Sequence, residues 1–502
     1  MRIEMLEQEF WFGGYVHEGV NQPIGKEAMC TLDLRVNQTP NQAMPLFLSS
    51  KGRYLWSNHG FVIRFENGII EVPEEVVVGA GYQDLKGAYL HAMKKYFPFQ
   101  ERKLSMELFR QPIYNSWIEL TFYQNERDIM AYANQILNNG MPPGVLMIDD
   151  GWSDYYGHWV FSKGKFPNPK EMIRQLYDKG FHVMLWVAPY VTPDTVQYRE
   201  LRDKGLLIKT KDGKPYITEW WNGFSAVLDM SNPATNVWLR EKLDQLCELG
   251  VAGFKFDGGD STHYSEDLVT FGNVSPDEQS MLWAKFGEQY AFNEFRVTSK
   301  AGGMALLQRL CDKEHAWGNT GINALVPNSL LQGITGHPFC SPDMIGGGEY
   351  LNFQEIEDGS LDQELFVRHS EIACLMPAMQ FSAAPFRVLD TTNFQSILNS
   401  IQIRGKFIQV IEYLVQNAQR TGEPIIRYMI YEFPNEPVER ITDQFMLGST
   451  ILVAPVTEKG KTGRGVYLPK GIWHYENDII ESTGGNKFFT SQPGQPIVLI
   501  KQ

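Results

Sequence analysis

The residues best placed for chemistry are acids that close apolar runs. Val251-Ala-Gly-Phe-Lys-Phe-Asp-Gly-Gly-Asp260 is a Phe/Val-rich run stopped by acid and glycine. It reads as a buried parallel strand whose C-terminal end faces the ligand-binding rim of an α/β sheet or barrel. Asp257 and Asp260 stand on that rim. The ending recurs: Asp149-Asp150-Gly-Trp152 follows one run, Arg296 another, Arg309 and Asp312 a third, and Asp343-Met-Ile-Gly-Gly a fourth. One such acid alone would be a carboxylate bonding backbone in a strand-to-loop corner. The repetition points to a shared polar pocket, since an unpaired buried carboxylate is costly. A carboxylate pocket can hold a divalent metal or transfer a glycosyl group. Histidine is sparse at these ends, and Arg296 and Arg309 bring competing positive charge, so no metal or other cofactor is expected. Two carboxylates flanking a glycosidic bond need none: one attacks and the other donates a proton.

Such acids need a scaffold that brings strand ends together. From Pro112 the period changes, and helical stretches (Glu126 to Asn139, Lys170 to Gly180, Asn236 to Gly250) alternate with short apolar strands. Eight strands are expected: Tyr114 to Leu120, Val145 to Asp149, His182 to Ala188, Gly253 to Asp257, Phe295 to Thr298, Leu306 to Cys311, Ile334 to Phe339 and Ala378 to Phe381. That alternation predicts an α/β architecture, a (β/α)8 TIM barrel, over residues 111–423. Before it, apolar-polar alternation broken by Asn-Gly, Pro and Gly predicts an N-terminal β-sandwich over 1–110. After it, strand-and-turn text predicts a small C-terminal β domain over 424–502.

Composition narrows the partners. A net charge of −14 argues against nucleic acid or an anionic membrane surface and is compatible with a neutral oligosaccharide or glycoside. Five scattered cysteines without a CxxC pair support neither a disulfide framework nor a zinc site. The N-terminal stretch carries acids where a signal peptide needs an apolar run, and no stretch has about 18 consecutive apolar residues. A cytoplasmic protein is expected, and a homo-oligomer is left open.

Phe254-Lys-Phe-Asp-Gly-Gly-Asp260 resembles the nucleophile motif of glycoside hydrolase family 31, with Asp260 where Glu is common. Gly333-Ile-Thr-Gly-His-Pro-Phe-Cys-Ser-Pro-Asp-Met-Ile-Gly-Gly347 is similar to the family's GLSG-x-PF…D-I-GG stretch, and Phe445-Met-Leu-Gly-Ser-Thr-Ile-Leu-Val-Ala-Pro455 to the opening of its C-terminal domain. Trp220-Trp-Asn-Gly-Phe-Ser-Ala-Val-Leu-Asp229, Pro342-Asp-Met-Ile-Gly-Gly and Met376-Pro-Ala-Met-Gln-Phe-Ser382 resemble the branch holding the mammalian myogenesis-regulating glycosidase and bacterial α-galactosidases.

By this resemblance Asp257 is the nucleophile. The family's Trp-x-Gly-Asp is absent, and Arg309-Leu-Cys-Asp-Lys-Glu-His-Ala-Trp317 stands in its place. Asp312 keeps the family's spacing to Trp317 and to Arg296, so it is preferred to Glu314 as acid/base, leaving Glu314 a solvated loop carboxylate. The implied reaction is a retaining double displacement with Asp312 kept protonated, and Arg296 keeps Asp257 ionised. Asp149, Asp150, Trp221, Arg296, Arg309, Asp343 and Gln380 are expected to bind substrate, with Asp343 also able to order its loop; Trp152 is a weaker wall than Trp221. Asp260 orients Arg or backbone beside the nucleophile, and His337 is a core or loop residue. Where the family's glucosidases carry a His after strand eight, this chain reads Met379-Gln-Phe-Ser. That substitution and the branch likeness favour terminal α-galactose, with α-glucosidase, α-xylosidase or a catalytically silent sugar-binding protein as alternatives.

Overall fold

The structure, a computed structural model, describes residues 1–99, 102–265, 267–354 and 361–502. At its centre is one parallel sheet built from β1 (Ile113–Asn115), β2 (Val145–Ile148), β3 (His182–Val187), β4 (Gly253–Phe256), β5 (Phe292–Phe295), β6 (Leu307–Arg309), β7 (Cys340–Ser341 with Met344–Ile345) and β8 (Gln380–Phe381). Each strand pairs with its sequence neighbour, and β8 pairs with β1. The halves of β7 are separated by Pro342 and Asp343 alone, and they end the strand order on its two sides, so the sheet closes through that position into a barrel.

Helices α1 (Glu126–Asn138), α2 (Pro169–Asp178), α3 (Pro233–Glu248), α4 (Pro276–Gly287), α5 (Leu325–Ile334), α6 (Gln363–Ala373) and α7 (Thr391–Thr421) follow the strands in turn, except that β5 and β6 are joined by residues 296–306 without a helix. The starts follow local chemistry: the Asn125 side chain accepts from the Asp128 N–H, and proline opens α2, α3 and α4, where a missing N–H costs nothing. Period-two alternation sorts β4. Phe254 and Phe256 face outward, Phe256 packing against Trp283 and Phe286 of α4, while Lys255 points into the barrel.

Several expectations need correction: of Tyr114 to Leu120 only the start is strand, since Trp117–Leu120 is a helical turn, and the fifth strand is Phe292–Phe295 instead of Phe295 to Thr298. The apolar run Ile334 to Phe339 is the end of α5 and its exit loop, and the seventh strand begins at Cys340. Apolarity alone did not distinguish a buried helix end from a buried strand, because every residue of α5 is buried. The N-terminal region holds a helix, Leu85–Tyr96, where strands alone were expected. Before it lie two four-stranded antiparallel sheets that share a core including Trp11, Phe47, Leu55, Phe65 and Ile70. After α7 the chain forms a six-stranded antiparallel sheet and a strand pair, Gly463–Leu468 with Gly485–Thr490. Among the described residues no helix is long and apolar enough to cross a membrane.

Candidate active site

A cavity of about 620 Å³ opens at the C-terminal ends of the barrel strands, and Asp149, Asp150, Trp221, Asp257, Asp260, Arg296, Arg309 and Asp312 all line it. Asp257 follows β4 directly, and Gly258 lets the chain turn away at once: its φ is +65°, and a Cβ there would stand 2.6 Å from the Tyr190 ring. The Asp257 carboxylate accepts from Trp186 Nε1 at 3.0 Å and from Arg296 Nε at 3.3 Å, with Lys255 Nζ 3.8 Å away. Burial acts to raise its pKa, but Lys255, Arg296 and the Trp186 N–H outweigh that and hold the carboxyl well below the usual range. Arg296 is itself held by two bonds to Asp260, at 3.0 and 2.7 Å, so Asp260 orients the guanidinium that meets Asp257. The guanidinium also lies 5.3 Å from the Trp221 ring centroid, and Trp221, at the tip of the hairpin Ile217–Trp220/Gly223–Val227, is half exposed to the cavity.

The second acid has different company. Arg309, on β6, donates through one terminal nitrogen to Asp312 at 2.7 Å and to Asp343 at 2.6 Å, while its Nε lies 3.5 Å from Glu294. Asp312 keeps 46% of its side-chain surface open. Loss of water around it acts to raise its pKa, but Arg309, then Lys255 and Arg296, outweigh that and lower it. The motif that carries the acid thus also carries its counter-ion, three residues earlier. The loop after β7 lies against this acid, since a Cβ on Gly348 would stand 2.5 Å from the Asp312 carboxyl carbon.

Asp149 and Asp150 form the polar floor and wall. Asp149 accepts from Lys255 Nζ at 2.8 Å, and Asp150 accepts from Tyr156 OH at 2.9 Å and Asn222 Nδ2 at 2.8 Å. Burial, aided by the charge of Asp149, pushes Asp150 up to about 7 despite the Tyr156 bond.

Two expected substrate contacts do not reach the cavity. Asp343 is fully buried behind Arg309, where it also accepts from the Lys313 N–H at 2.8 Å, and burial lifts it to about 7. It occupies the break in β7, so its side chain orders the loop. Gln380 is fully buried and donates to Glu294 inside the barrel, below the rim. Glu314 is exposed and accepts from Thr320 Oγ1, outside the cavity lining, and His337 is buried against Gln308. Trp152 packs behind the wall and donates to the Trp186 carbonyl at 2.8 Å. Sequence reasoning missed Lys255 and Trp186. Lys255 had a signal: it stands two residues before Asp257 in an apolar strand, on the same face.

The domain families described as "Glycosyl hydrolases family 31 TIM-barrel domain" and "Glycosyl hydrolase family 31 C-terminal domain" match residues 113–304 and 422–499. The chain belongs to glycoside hydrolase family 31. It is 33% identical over 423 residues to the myogenesis-regulating glycosidase of Mus musculus, covering 82% of this chain and 58% of that protein. It is 25% identical to α-glucosidase 2 of Bacillus thermoamyloliquefaciens, covering 76% of this chain and 51% of the relative. The chain thus spans little more than half the length of these curated relatives. The family 31 dextranase of Flavobacterium johnsoniae complexed with glucose superposes with a TM-score of 0.85 at 19% identity, over all of this chain and 66% of that one, and shares its fold.

Proposed function

We propose that this family 31 chain is a retaining, exo-acting α-glycoside hydrolase working by double displacement, with terminal α-galactosides as its first substrate class. One observation carries the reading: two carboxylates, Asp257 after β4 and Asp312 after β6, line one cavity, the first held by Trp186 and Arg296 and the second by Arg309. Asp257 is ionised and oriented by Trp186 and Arg296, which suits attack on an anomeric carbon. Asp312 delivers a proton to the leaving oxygen, and its carboxylate then draws a proton from the water that releases the sugar. Because Arg309 lowers the Asp312 carboxyl, the productive state, Asp312 protonated beside ionised Asp257, is expected to be favoured by acidic pH. The floor pair Asp149 and Lys255, with Asp150, supplies acceptors and a donor for the hydroxyls of a terminal sugar.

Galactose has narrower support: the likeness of residues 220–229, 342–347 and 376–382 to the α-galactosidase branch, and the missing histidine after β8. Gln380 no longer adds to it, because that side chain lies inside the barrel. A panel of nitrophenyl α-galactoside, α-glucoside and α-xyloside tests the choice, and equal or faster release from the glucoside or xyloside transfers it to that sugar. Proton NMR of the first-formed product tests retention, since a β-anomer would exclude a glycosyl-enzyme route. Unchanged turnover in both Asp257→Asn and Asp312→Asn would remove both roles assigned here, whereas sugar binding without turnover in the parent would leave a catalytically silent sugar-binding protein.

A further inference from the structure

The barrel lacks a helix between β5 and β6, and the strand pairing there ends at Phe295 with Gln308. Beyond that pair β5 and β6 no longer bond each other, and the carbonyls of the next residues, Arg296 and Arg309, lie at the rim where both arginines work, with Arg309 still paired to Ser341 of β7. A segment of the N-terminal β region fills the gap. Gln42, fully buried, donates through its one amide nitrogen to the Arg296 carbonyl at 2.7 Å and to the Arg309 carbonyl at 3.1 Å. Its own oxygen accepts from Gln332 Nε2 at 3.0 Å, which fixes the direction of the amide. The flanking residues converge on the same place: the Pro40 carbonyl accepts from the Arg296 guanidinium at 2.9 Å, and Asn41 Oδ1 accepts from the N–H of Cys311 at 2.7 Å, one residue before Asp312. The segment is anchored on both sides, since Ala43 exchanges bonds with Thr298 and Lys300, and the Asn37 N–H donates to Asp277.

We propose that Gln42 is a positioning residue of the reaction: it staples the ends of β5 and β6 together and so sets where Arg296 meets Asp257 and where Arg309 meets Asp312. This rests on the roles given above to those two acids. Carbonyls buried without donors are rare and costly, which accounts for a glutamine at this position. What makes the contact more than structural is that each carbonyl belongs to an arginine holding one of the two acids.

Gln42→Met keeps the volume and removes both donors. The expected result is a loss of about tenfold to a hundredfold in kcat with KM changed by less than about threefold, because a small misplacement of reacting groups acts on the transition state. The alkaline limb of the kcat/KM profile is also expected to move to higher pH, because a displaced Arg309 releases its hold on Asp312. Gln332→Met, which removes the bond that orients Gln42 together with one to the Gln308 carbonyl but leaves both Gln42 donors in place, is expected to give a smaller shift of the same limb in the same direction, and it decides the matter if Gln42→Met does not fold. A limb that stays in place in the folded variants, with lost activity tracking only a lower melting temperature, would overturn the proposal. Asp312→Gly with and without azide is run alongside: full activity without azide means that the acid/base assignment has failed, whatever Gln42 does.

Discussion

The two ends of the barrel bury arginines in opposite company. At the N-terminal end, Arg404 of α7 is fully buried and gives its hydrogen bonds to the carbonyls of Phe109, Cys374, Met376 and Pro377, just before β1 and β8. No carboxylate is among these partners, and burial lowers the guanidinium to about 10. At the C-terminal end, Arg296 and Arg309 each meet carboxylates, and Asp257 and Asp312 keep surface on an open cavity. A buried cation bonded to backbone closes a fold, while one shared between acids at a cavity tunes them. The difference lies in the partners and not in the depth, since all three arginines are fully or nearly buried.

The strongest break in this contrast comes from the nucleophile. Asp257→Asn is expected to cut turnover by at least about 10⁴-fold, and a melting curve close to that of the parent would show that its role is chemical. Asp312→Gly should lose on the order of 10²- to 10⁴-fold, the usual worth of a general acid, with azide restoring rate by attacking the glycosyl-enzyme in place of water, which removes the need for a base in the second step. The opposite end should answer in the opposite currency. Arg404→Met leaves buried carbonyls without donors and is expected to cost on the order of 4 kcal/mol of stability in a denaturant titration, with kcat/KM of the folded fraction retained. If Arg404→Met instead lost activity at constant stability, the division between the two ends would fail.

Protonation sharpens the contrast further. Asp257 and Asp312 are both held below the ordinary carboxylate range, so the productive state with Asp312 protonated is lost as pH rises through its lowered pKa. Above that point kcat/KM should fall about tenfold per pH unit. A plateau to neutral pH followed by a fall near 7 would point instead to Asp150, which lines the same cavity and is pushed up to about 7.

The outer residues of the site were readable because four barrel strands end where an apolar run meets an acid or arginine: Asp149, Asp257, Arg296 and Arg309 all fall at or just beyond observed strand ends. Asp343 and Gln380 were misplaced for a common reason. Their strands, β7 and β8, are two-residue ladder segments, too short for a period-two pattern to tell cavity from barrel interior. Lys255 was passed over because a lysine in an apolar run looks like an interruption, yet it lies between two carboxylates, 2.8 Å from Asp149 and 3.8 Å from Asp257. The Gln42 contacts were not legible at all, since they join residues more than 250 positions apart in a segment without a chemical motif.

The smallest expected effect separates the two acids of one loop. Asp312 and Glu314 are two residues apart and both exposed, and composition gives no reason to prefer either. Their surroundings do: Asp312 lines the cavity and meets Arg309, whereas Glu314 accepts from Thr320 within its own loop. Glu314→Gln preserves the shape and the acceptor for that hydroxyl. It is expected to leave kcat/KM unchanged and stability within about 0.5 kcal/mol. Since the loop is the same, a loss comparable to that of Asp312→Gly could not be assigned to general misfolding of this segment if the melting temperature held, and it would move the acid/base role to Glu314.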